Sequence, residues 1–136
     1  MKKEVTVNIE TKSKPKDDAP RLVSVCAKAT LFMKDELAVI LYKEDKEEFG
    51  DTTTTIKIKP GRAEIVRSGD INSTLIFDMT HTFEGIYKTP YGNLPVKTTL
   101  TDMETDLCQS YGSVSMNYTL DFAGEITENK FTLKYN

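Results

Sequence analysis

The chain has no tryptophan, two cysteines, one histidine and seven glycines in 136 residues. Each scarcity excludes something. Cys26 and Cys108 show no C-x-x-C spacing and are too few for a disulfide framework. Both are expected as free thiols. Cys26, opposite Val25 and Ala27 and beside Lys28, is expected to be the more reactive. His81, between Thr80 and Thr82, reads as a turn or surface residue. One histidine without a G-x-S-x-G elbow builds no catalytic triad, and with two scattered cysteines it builds no zinc site. Glycine-rich phosphate loops are absent. Asp17-Asp18 and Glu47-Glu48 read as solvated loop carboxylates. The sequence therefore points away from an enzyme and implies no cofactor or metal. The longest unbroken apolar run, Leu37–Tyr42, falls far short of the ~20 residues of a membrane helix. Positive charge is not in excess either. Lys+Arg number 18 against 21 Asp+Glu, a net charge of −3, so the basic footprint of a nucleic-acid binder is missing. Met1-Lys2-Lys3-Glu4 runs straight into Val5-Thr6-Val7-Asn8-Ile9 without the apolar stretch of a signal peptide. The expectation is a cytoplasmic protein with reduced thiols, in which the sequons at Asn72 and Asn117 carry no glycan.

What the chain has in abundance is threonine. There are 18, including Thr52-Thr53-Thr54-Thr55. Threonine is β-branched and amphipathic, so it suits a strand face that meets water. Period-2 alternation follows nearly everywhere. Val5, Val7 and Ile9 oppose Thr6, Asn8 and Glu10, and Ile56 and Ile58 oppose Lys57 and Lys59. Val114, Met116, Tyr118, Leu120 and Phe122 oppose Ser115, Asn117, Thr119 and Asp121. Such alternation marks strands with one dry face. Turn chemistry separates the runs at Lys34-Asp35-Glu36, Pro60-Gly61, Ser68-Gly69-Asp70, Pro90-Tyr91-Gly92, Tyr111-Gly112 and Gly124-Glu125. The reading is ten strands: 4–11, 21–33, 37–44, 52–59, 63–68, 71–78, 82–89, 93–101, 104–110 with 113–123, and 126–135. Lys14 to Pro20 reads as a polar loop. The segment 31–49 also fits an amphipathic helix, and both readings stand at this point. One domain spans 1–136, an antiparallel barrel of about eight to ten strands, with a two-sheet sandwich as the alternative.

Three residues stand out as candidate ligand contacts. Arg67 shares parity with Ala63 and Ile65, so its guanidinium is expected on the inner face near a strand end. There its five donors need anions or carbonyls, from a ligand or from the scaffold. Tyr87 shares parity with Phe83 and Gly85, and Tyr118 with Met116 and Leu120, which makes both interior phenols. Pro90-Tyr91-Gly92 reads as a hairpin turn that exposes Tyr91.

The string Arg67-Ser68-Gly69, Phe77, Tyr87 through Gly92, Leu107, Tyr111-Gly112 and Tyr118 resembles the YwiB-like family. These are small bacterial proteins that carry a domain of unknown function. The resemblance extends from Val5 to Tyr135. It implies a calycin-like (lipocalin-like) β-barrel, a bacterial origin and a cytoplasmic setting, and it carries over no catalytic residue. The Gly-x-Trp signature of true lipocalins and the Arg-x-Tyr clamp of fatty-acid-binding barrels are both missing, which weighs against a lipid carrier.

Barrels of this size either fill with side chains or hold one small ligand. The first expectation is a small molecule bound in the barrel through Arg67, Tyr87 and Tyr118. The alternative is a filled barrel acting as an interaction or structural module, with a homodimer as one form. An enzyme of unfamiliar type ranks third. Neither nucleic acid nor membrane is expected as a partner.

Overall fold

The structure is a computed structural model and describes residues 1–136. Ten strands follow in chain order: β1 (Lys2–Pro15), β2 (Arg21–Lys34), β3 (Leu37–Lys43), β4 (Thr52–Lys59), β5 (Arg62–Gly69), β6 (Ser73–Asp78), β7 (Phe83–Thr89), β8 (Gly92–Leu107), β9 (Gly112–Phe122) and β10 (Glu125–Tyr135). Each neighbouring pair in the order β6-β5-β4-β3-β2-β1-β10-β9-β8-β7 is antiparallel. Alternation decides the faces. On β4 the polar-apolar series buries Thr52, Thr54, Ile56 and Ile58 while Lys57 and Lys59 meet water. Twenty-two buried apolar residues from all ten strands but β7 form one continuous core. Val7, Leu31, Ile40, Ile56, Phe77, Met116 and Leu133 lie at its most buried positions.

The two end strands close the sheet. Asn72 and Lys88 exchange backbone bonds of 2.9 and 2.8 Å, and Asp78 bridges His81. Between these points the β6–β7 ladder is interrupted. The inward Thr98 of β8 bridges the gap by donating its Oγ1 to the Ile76 carbonyl at 2.5 Å. Closure removes the exposed edges that invite strand-to-strand aggregation.

The ten-stranded barrel was legible, but its element list changes at three places. Residues 104–110 do not join 113–123. Residues 104–107 continue β8, because a bulge between Leu100 and Asp102 absorbs one residue and the ladder to β9 resumes at Asp102↔Asn117, and 108–110 form the connection to β9. The expected polar loop at Lys14 starts later, since Lys14 and Pro15 still pair with Glu128 and Thr127. In the ambiguous segment the strand reading holds through Lys43, and helix is confined to one turn, α1 (Lys46–Phe49). No helix is long and apolar enough to cross a membrane.

Candidate functional site at the upper barrel end

The up-and-down order places the β1–β2, β3–β4, β5–β6, β7–β8 and β9–β10 connections at one end, taken here as the upper end. Below it the interior is apolar apart from Thr98 at the seam. At the upper end it turns polar. Tyr42 of β3, Thr54 of β4, Arg67 of β5 and Ser73 of β6 are successive ladder partners across four strands, and all four point inward. Glu44 continues the inward parity of Tyr42 just past β3, and its side chain is only 2 % exposed. Its Oε2 accepts from Thr54 Oγ1 at 2.7 Å and from Tyr42 OH at 3.2 Å. Arg67 Nε lies 3.5 Å from the same oxygen, with the Arg67 side chain 17 % exposed.

The cluster is incompletely satisfied. Arg67 Nε and Ser73 Oγ are buried without a hydrogen-bond partner. A buried donor left unpaired costs roughly 1–3 kcal/mol, so two such atoms on adjacent strands mark a place where an acceptor is missing.

Local sequence explains how the cluster is roofed. Asp45 caps α1 by accepting from the Glu47 amide, and Gly50, at φ 66°, ends the turn by returning its amide to the Lys46 carbonyl. Phe49 is thereby held over Arg67, with the guanidinium 5.3 Å from the ring centroid. Thr52 Oγ1 ties down Phe49 by donating to its carbonyl at 2.7 Å. Gly69, at φ 136°, completes the arrangement. A Cβ there would stand 2.0 Å from the Asp51 carbonyl, so only glycine lets the loop dock. The Arg67-Ser68-Gly69 string thus places an inward cation two residues before the glycine that seats its cover.

Of the residues singled out from sequence, the structure brings Arg67 and Tyr118 into one electrostatic neighbourhood. Tyr118 is buried and stacks on Phe77 at 4.5 Å between ring centroids. Burial pushes its phenol up to about 12, against the pull of the Arg67 charge. Burial, followed by the Glu44 charge, likewise holds Tyr42 far above the ordinary phenol range, again opposed by Arg67. Tyr87 faces inward but stands edge-on to Phe122 at 6.0 Å, with no hydrogen bond to the cluster. Glu44, Tyr42, Thr54 and Ser73 were missed as site residues. Parity could have found Tyr42, Thr54 and Ser73, which continue the inward series of Ala38 and Ile40, of Ile56 and Ile58, and of Leu75 and Phe77, whereas Glu44 lies past the end of β3 where that signal stops.

Clefts run over the outer surface of the barrel. One of about 400 Å³ runs over the outer face of β1, β10 and β9 between Lys12, Lys14 and Lys130. Both cysteines are free, with Cys26 on the exposed outer face of β2. No three His, Cys, Asp or Glu side chains cluster to hold a metal ion.

Comparison with known proteins agrees with this architecture. The family model described as "Domain of unknown function (DUF1934)" matches residues 7–134. The uncharacterised β-barrel protein YwiB of Bacillus subtilis (strain 168) is 24% identical over 125 residues, covering 92% of this chain and 88% of that protein. The crystal structure of the ywiB protein from Bacillus subtilis superposes with a TM-score of 0.84 at 19% identity, covering 99% of this chain and 93% of that one.

Proposed function

We propose, from the premise that this chain belongs to the DUF1934 family, that it is a small-molecule-binding β-barrel that takes the polar head of its ligand at the upper end. The observation that carries this reading is the pair of unpartnered buried atoms, Arg67 Nε and Ser73 Oγ, on ladder-paired residues. Few convergent polar groups above apolar walls is the usual make-up of a ligand site. Below that polar level the inner face is apolar at Leu75, Phe77 and Val96, and Tyr118 supplies a further phenol. Tyr87 lines the same end through its contact with Phe122. The reading includes a cytoplasmic setting and no nucleic-acid or membrane partner.

A second reading has an observation of its own. One continuous cluster of buried apolar side chains occupies the inner face, and clefts run over the outer surface, which suits an interaction or structural module with a filled barrel, including a homodimer. Arg67→Lys separates the two. Lysine keeps the charge beside Glu44 but lacks the planar fork. For a ligand anchor, a native mass spectrum of wild-type protein from its own host shows a retained small molecule. Arg67→Lys loses that molecule with its melting temperature nearly unchanged. A wild type that carries nothing, together with a variant that melts far lower, makes Arg67 scaffold and favours the filled module.

A further inference from the structure

We infer, resting on the ligand-binding reading, that the ligand's head group is electrically neutral and carries a hydrogen-bond donor beside an acceptor, as a primary amide, a lactam or a nucleobase edge does. Three features support this. The first is the distribution of free bonding capacity. Both hydrogen bonds to Glu44 fall on Oε2, which also holds the ion-pair contact, so Oε1 remains an acceptor. Arg67 donates no hydrogen bond within the chain, and Ser73 Oγ is unpartnered. The wall therefore offers one acceptor next to several donors.

The second feature is charge. Arg67 and Glu44 are the charged side chains on the inner face, and they cancel. A carboxylate or phosphate head would set a second anion beside Glu44 and leave a net negative charge in a largely buried site, which burial penalises. A cationic head would leave the opposite excess. A neutral donor–acceptor head adds no charge and meets both kinds of group. The third feature is geometry. The Arg67–Glu44 contact runs through Nε at 3.5 Å, longer than the ~2.7–2.9 Å of a tight charge-assisted bond, so the planar fork is not committed to Glu44.

The experiment uses three probes of one shape: benzamide, benzoate and benzamidinium. Each is titrated into the full chain while the Arg67 Nε–Hε resonance and the melting temperature are followed. Benzamide is expected to move the Arg67 signal and raise the melting temperature, at several-fold lower concentration than benzoate or benzamidinium. Glu44→Gln, in which the amide oxygen can still accept from Tyr42 and Thr54, makes the site net positive and should reverse the order toward benzoate. Should that variant not fold, the wild-type order decides by itself. Benzoate or benzamidinium binding best to the wild type overturns the neutral-head inference and leaves the ligand-binding reading standing. No probe moving the Arg67 signal in either protein overturns both.

Discussion

Glu44 and Arg67 face each other inside a barrel whose other inner side chains carry no charge, and each depends on the other for its burial. A buried ion pair adds little net stability, but removing one partner strands a charge. Arg67→Met is therefore expected to destabilise the fold by about 3–5 kcal/mol, with most of the loss recovered in the double variant Glu44→Gln/Arg67→Met. Urea unfolding of the two single variants and the double variant tests this. Additive losses would show that the two side chains are independently solvated. Arg67 was legible in the sequence because its parity with Ala63 and Ile65 ran into a glycine turn. Its partner was not, because Glu44 sits where β3 gives way to α1, in the stretch 31–49 where strand and helix patterns overlap.

At the scale of elements, the weak point is the seam between β6 and β7. The Thr98 hydroxyl stands in for a missing ladder bond by reaching the Ile76 carbonyl. Thr98→Val keeps the shape and removes the donor, so a loss of about 1–2 kcal/mol is expected. Amide exchange should quicken first at Asn72 and Lys88, which close the barrel above that point. An exchange pattern unchanged from the wild type would assign closure to side-chain packing instead. The seam could not be read from the sequence, since the β-strand pattern of 71–78 and 82–89 is the same whether a ladder is complete or broken. The course of β8 escaped for a related reason. A bulge shifts parity by one residue, so Met103, Thr105 and Leu107 look like a new strand although the ladder runs on.

For the molecule as a whole, the buried phenols set the alkaline limit. Tyr118 ionises near 10 in the unfolded chain and at about 12 when folded. The folded state favours its neutral form, so this contribution is fully present below pH 10 and is lost as pH rises through 12. Two units correspond to about 2–3 kcal/mol. The stability of the wild type should therefore fall relative to Tyr118→Phe between pH 10 and 12, with Tyr42 extending the loss to higher pH. Parallel stability curves for the two proteins across that window would place the Tyr118 hydroxyl in contact with solvent.

The order of residues already specifies the class of object: an all-β chain, strands of alternating polarity, and the inward parity of Arg67 and Tyr118. Those properties are local, because a period of two and a turn every 8–12 residues need no knowledge of what lies opposite. Tertiary structure alone decided which strands meet at the seam, that Phe49 roofs Arg67, and that Tyr42, Glu44, Thr54 and Ser73 align with it at one level. Register and closure depend on contacts between residues far apart in the chain. A slip of one residue in any ladder would have sent each of these side chains to the other face.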